Sequence, residues 1–193
     1  MKRLLAALIA TAAVSTAAAP AFAAEVAYKL DAAHTETTFT IDRFGFTSII
    51  GIFAASEGTI WLDEAAPEKS RVEATVTVDS LLTANPTRDE HIKGERWLNA
   101  AKSPTMTFKS TKVEKTGDTT AKVTGDLTIM GVTQPAVLDV KLNKIGTAPN
   151  NQKKQAGFTI TGQISRKAFG SAGAAGVIGD AVNIRIETLA VAQ

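Results

Sequence analysis

The sequence predicts an all-β protein built as one antiparallel domain, and three observations carry that expectation. Apolar residues recur with period two in many short runs, and turn residues separate the runs at close intervals. The chain beyond residue 23 is about 170 residues long, the length of one domain with a real core.

The N-terminus has the three parts of an export signal: basic Lys2 and Arg3, an almost wholly apolar Leu4 to Val14, and small residues at Ala21-Phe22-Ala23. Cleavage is expected after Ala23, giving residues 1–23 as a signal peptide and 24–193 as the mature domain. The apolar stretch is shorter than the ~20 residues of a membrane span, and Ser15, Thr16 and Pro20 interrupt the alanine-rich run behind it. Stable membrane insertion is therefore not expected, and the mature chain is expected outside the cytoplasm.

Arg71 to Asp79 shows the strand pattern best, since Val72, Ala74, Val76 and Val78 alternate with polar residues. The same alternation runs through Phe39 and Ile41, through Met106 and Phe108, and through Val123, Leu127 and Ile129. It recurs in Ala136 to Leu142, Phe158 to Ile164 and Val182 to Ile186. Turn signals fall at Lys115 to Asp118, Gly131 to Pro135 and Gly146 to Asn150. About eight strands with one apolar face each can form a two-sheet sandwich or a closed barrel, and periodicity does not choose between them.

Two segments break the alternation. Thr87 to Ile92 reads as a short helix entered from Asn85-Pro86 and stopped at Gly94, within a helical excursion near residues 86–98. Ser165 to Asp180 holds four glycines and several alanines, which predicts a mobile loop with little core of its own.

Composition excludes several functions. There is no cysteine, so disulfides, thiolate metal sites and cysteine nucleophiles are out. The 21 Lys plus Arg stand against 19 Asp plus Glu, and removing Lys2 and Arg3 leaves 19 against 19. A mature chain of zero net charge offers no field for nucleic acid. The two histidines, His34 beside Asp31 and His91 beside Asp89 and Glu90, lack partners at metal-site spacing and read as structural. No nucleophile elbow or phosphate-binding glycine loop is present, so neither a catalytic residue, a metal nor a cofactor is expected. Gly51 and Gly125 read as sites of bending or close backbone approach in a curved sheet.

Phe44, Phe46, Ile49, Ile50, Ile52 and Phe53 crowd around Gly45 and Gly51, and Trp97-Leu98 comes after the helix. They suit either ordinary core at the ends of the domain or the mouth of an apolar pocket.

Several blocks in order resemble the YceI-like family. They are Tyr28 to Thr35, Phe39, Arg43 to Thr47 with Gly51-Ile52-Phe53, Pro67 to Val72, Arg88 to Ile92, Ser103 to Ser110, and Gly125 to Ile129 with Gly131-Val132-Thr133 and Pro135. The resemblance runs from about Tyr28 to Ile186, nearly the whole mature chain. It departs from the family at Met130, where many members carry a histidine or other polar residue, and at Ala168, where an aspartate often precedes Phe169-Gly170. The 173–179 segment is also richer in Gly and Ala.

The resemblance implies a single antiparallel lipocalin-like β-barrel whose interior accepts a long isoprenoid chain, in secreted bacterial proteins often linked to quinone metabolism or stress. The implied partner is an isoprenoid lipid or other long-chain amphiphile, and a homodimer is compatible with it. In such a barrel Phe39, Ile41, Phe53, Ala74, Val76, Val78, Phe108, Leu127 and Ile129 are the expected cavity lining, with Phe44, Phe46 and Trp97 nearer an opening. The sequence leaves two other readings open. One is a stress-response interaction module with a filled barrel and an apolar outer patch; the other is an enzyme acting on an isoprenoid lipid through His34 or His91.

Overall fold

The computed structural model describes residues 25–193. The expected signal peptide and its cleavage point lie outside the described residues. The strands are β1 (Val26–Arg43), β2 (Thr47–Phe53), β3 (Ser56–Leu62), β4 (Arg71–Thr77), β5 (Leu81–Leu82), β6 (Thr105–Lys115), β7 (Thr120–Ile129), β8 (Val132–Thr147), β9 (Lys154–Ser165) and β10 (Ile178–Ala192). Helix α1 (Pro86–Lys93) stands between β5 and β6.

The strand order β10-β9-β8-β7-β6-β4-β3-β1 closes on itself through β1 with β10. This is an eight-stranded antiparallel barrel, and closure is what removes the exposed edges. The two extra strands are continuations. Both β2 and β3 pair antiparallel with β1, so they form one long strand kinked at Ala54-Ala55. Strand β5 likewise continues β4, pairing with β2 after a single helical turn at Val78–Ser80. Backbone bonds from Ala54 N to Ser80 O, 3.2 Å, and from Thr77 N to Ala55 O, 2.9 Å, lock the kink to that turn.

The connections follow local chemistry. Met130 and Gly131 form a two-residue hairpin turn with φ of 54° and 77°, the primed geometry that matches strand twist. The turn is thus shorter than the Gly131 to Pro135 segment suggests, and Pro135 lies within β8. There β8 pairs with β7 alone, because β9 joins only from Leu138, so a missing donor on the other edge costs no ladder bond. Helix α1 begins and ends as its sequence predicts: the Asn85 side chain accepts from Arg88 N at 3.0 Å, Pro86 opens the first turn and Gly94 caps the end. The buried Asp89 carboxylate then ties the helix to Thr83, accepting from its backbone N–H at 2.8 Å.

Packing is uneven along the barrel. Tyr28, Ala156, Phe158 and Ala190 form a buried cluster where β1 starts and β10 finishes, and the partly buried Leu30, Leu62, Leu142 and Ile145 pack against it from the barrel interior. Elsewhere the inward Phe39, Ile60, Val72, Val76, Phe108, Leu138, Ile160 and Ile184 are only half-buried. Continuous strands cover them from outside, so the surface they still expose faces an internal void.

Candidate functional site

The void is a cavity of about 560 Å³ running along the barrel. Its walls are the inward faces of the strands, and they are almost wholly apolar because period two sends every second residue inside. Two pairs of buried hydroxyls within the wall satisfy one another. Thr35 Oγ1 lies 2.7 Å from Thr188 Oγ1, and Thr37 Oγ1 lies 3.1 Å from Ser56 Oγ. Gly51 and Gly125 are places of close approach: a Cβ on either would fall 2.3 and 2.5 Å from the rings of Phe39 and Phe108. Each ring covers a neighbouring glycine and so leaves room in the middle of the barrel.

The two ends differ. Lys115, Asp118, Thr119, Thr120 and Glu64, all exposed, rim the end formed by the β6–β7 turn and the β3–β4 connection. Beside that rim Glu64 engages Lys154 and accepts from the Tyr28 hydroxyl at 3.4 Å, while burial pushes the phenol pKa up. At the opposite end Ile92, Trp97 and Leu98 from the helical excursion and Arg166, Phe169 and Ser171 from the β9–β10 connection line the cavity. Arg166, Phe169 and Ser171 are buried, so this end is roofed.

The structure brings Phe39, Ile41, Phe53, Ala74, Val76, Trp97, Phe108, Leu127 and Ile129 together on the cavity wall. It places three expected lining residues elsewhere. Val78 is 1% exposed but is not part of the wall, because the strand alternation stops at Thr77 and the one-turn helix re-aims its side chain. Phe44 and Phe46 sit on the β1–β2 turn, 48% and 89% exposed, since Phe44 takes a left-handed φ of 57° and the turn projects beyond the barrel. Trp97 belongs to the roof rather than to an open mouth.

The β9–β10 connection also departs from expectation. It has a core of its own in Arg166, Phe169, Ser171 and Gly173, all buried. Small residues allow this backbone to lie close to its neighbours, and its carbonyls can then hold a charge. The Arg166 guanidinium donates to Gly179 O at 2.8 Å, Ser171 O at 2.8 Å and Ile178 O at 3.2 Å, and stands 5.1 Å from the centre of the Trp97 ring. Burial lowers its pKa from the ordinary arginine value, with the charge of Asp180 opposing the shift. Sequence reasoning missed Arg166, because a basic residue in a glycine-rich loop reads as solvated.

Both histidines lie away from the cavity wall. His34 is bonded to Asp31 at 2.9 Å, where residues Asp31 to His34 bulge from β1 between its pairings at Leu30 and Thr35. That bond is the main reason the Asp31 carboxyl sits below its ordinary pKa. His91 is on an exposed face of α1.

Comparison with known proteins fits this architecture. The chain is 38% identical to Protein YceI of Salmonella arizonae over 149 residues, covering 77% of each chain. The crystal structure of a Campylobacter jejuni YCEI protein superposes with a TM-score of 0.71 at 31% identity, over 77% of this chain and 87% of that one. A polyisoprenoid binding domain from Saccharophagus degradans shares the fold, with a TM-score of 0.64 at 14% identity over 87% of this chain and 99% of that one. The YceI-like domain family matches residues 28–190, nearly the whole barrel, from the first residue of its buried cluster to the last. With its sequence order, its closed barrel and its relatives in agreement, the chain belongs to the YceI-like family.

Proposed function

We propose that this protein binds a long apolar isoprenoid lipid, of the polyprenyl or quinone type, inside its barrel and carries or stores it without transforming it. The hollow interior carries this reading: an apolar cavity of about 560 Å³ stands where a filled barrel would hold interlocked side chains. Membership of the family and the shared fold of a domain described as polyisoprenoid binding support it.

Magnitudes make the role chemically sensible. Burying a CH₂ from water is worth ~0.8 kcal/mol, so a forty-carbon chain would exceed the practical ceiling of about 18 to 21 kcal/mol for any complex. A membrane lipid does not start in water. Its transfer to an apolar cavity is close to an exchange between two oils, so fit and head-group contacts decide affinity. That balance suits loading and unloading.

An enzyme using His34 or His91 would need one of them at the cavity, and neither lines it. An interaction module would combine an apolar outer patch with a solid interior. Exposed Phe46, Ile50 and Leu82 supply the first feature, but the hollow barrel lacks the second. The site of action we propose is the periplasm, on the export-like N-terminus; among the described residues no helix is long and apolar enough to cross a membrane.

Protein purified without detergent, extracted with organic solvent and analysed by mass spectrometry, should yield a long-chain isoprenoid near one per chain. A protein that carries none, and takes up none from vesicles containing octaprenyl lipids, would remove the proposal.

A further inference from the structure

Arg166 stands apart from the rest of the cavity lining. It is 5% exposed, in a roof whose other cavity-facing members are Ile92, Trp97, Leu98, Phe169 and Ser171. Among the described residues no carboxylate lies within ion-pair distance of it. The nearby Asp180 is otherwise engaged, accepting from Ser165 Oγ at 2.8 Å and Lys167 N at 3.0 Å. The guanidinium has five N–H donors, and its three bonds to carbonyls use one each on Nε, Nη1 and Nη2. One N–H on each terminal nitrogen is therefore without a protein acceptor. A charge whose direct bonds all go to neutral carbonyls, with Asp180 acting only at longer range, is costly beside an apolar void, and an acceptor arriving from the cavity would lower that cost.

We infer that Arg166 receives the head of the bound lipid, that this head presents acceptor oxygens, and that the lipid enters head first with its tail running toward the Lys115–Thr120 rim. The inference rests on reading the cavity as a lipid site. Phosphate oxygens and quinone carbonyls share the required chemistry, since either can accept from the two remaining donors. A hydrocarbon of the same length cannot.

The two tryptophans make the orientation measurable. Trp97 stands beside Arg166 under the roof, whereas Trp61 lies on β3 near the rim end, stacked under Arg71 with the guanidinium carbon 3.5 Å from the ring centre. A quinone head quenches indole fluorescence at short range. Three probes are delivered from phosphatidylcholine vesicles: a prenyl phosphate, a long-chain benzoquinone and squalene as the headless tail. At least one headed probe should bind about tenfold to a hundredfold tighter than squalene, a gap of the size expected for hydrogen bonds to a charged group. The tighter of the two identifies the head.

In Trp61→Phe protein the quinone should quench the remaining Trp97 strongly, and in Trp97→Phe protein it should leave Trp61 bright. Arg166→Gln should abolish the preference for a head, read as the ratio of headed-probe to squalene affinity on the same protein. Arg166 also holds three carbonyls, so the wild-type probe comparison and the quenching pattern stand as the test if that variant does not fold. Equal binding of headed and headless probes, or quenching of Trp61 in place of Trp97, would overturn the inference while leaving a lipid carrier intact. Failure of all three probes to bind would instead remove the function on which it rests.

Discussion

Trp97 lies against the backbone of Gly173 so closely that a Cβ there would stand 2.2 Å from Cε2 of the indole. The same two segments are joined by a bond from Gly173 N to Arg96 O at 2.7 Å. The helical excursion and the β9–β10 connection thus close one end of the barrel as a unit.

Gly173→Ala should pry this roof apart. The added methyl cannot coexist with the indole, so overpacking should cost about 1 to 3 kcal/mol, and Trp97 should become wetter. Urea unfolding gives the first quantity, and a red-shifted emission in a Trp61→Phe background gives the second. An unchanged midpoint with unchanged emission would mean that Trp97 does not pack as described.

Ala74 tests the cavity itself. It lines the void on β4, so a larger side chain there can extend into the cavity. Ala74→Trp should weaken binding of octaprenyl lipids about tenfold or more while destabilising by less than about 1 kcal/mol, because the ring fills empty volume. Melting and co-purified lipid are measured on one preparation. A variant that melts much earlier yet keeps its lipid would place Ala74 in a packed wall.

The roof should also be acid-sensitive. The backbone N–H of Lys167 and then the Ser165 hydroxyl hold the Asp180 carboxyl below its ordinary pKa. Its folded value being the lower one, the carboxylate stabilises fully above the unfolded value of about 3.9, and that contribution disappears as pH falls through the folded value. Asp180→Asn should therefore lower the urea midpoint at pH 7 and at pH 5, with the gap to wild type closing toward pH 3 and below. A gap that persists unchanged at low pH would show that the charge contributes nothing.

Export gives a simple mass. Protein recovered from the periplasm should begin at Ala24, and intact-mass measurement checks it. A cytoplasmic protein retaining Met1 would contradict the proposed site of action.

The periodic residues were enough to say which side chains share a face. Phe108 and Leu127, or Val76 and Ala74, are separated by even steps or paired across strands, and local alternation determines their side of the sheet. Asn85-Pro86 and Gly94 marked the helix for a similar reason, since caps act within one turn. Closure, by contrast, depends on β1 meeting β10 across the whole length of the chain, and no local pattern distinguishes a barrel from a sandwich. Whether the closed barrel is hollow depends on the summed volume of side chains from eight strands, which only their assembly determines. Val78 and Phe44 left the expected wall because a helical turn and a left-handed residue re-aim side chains against the alternation. Arg166 is buried because carbonyls at Ser171, Ile178 and Gly179 converge on it, and that convergence exists only once the connection has folded over the barrel end.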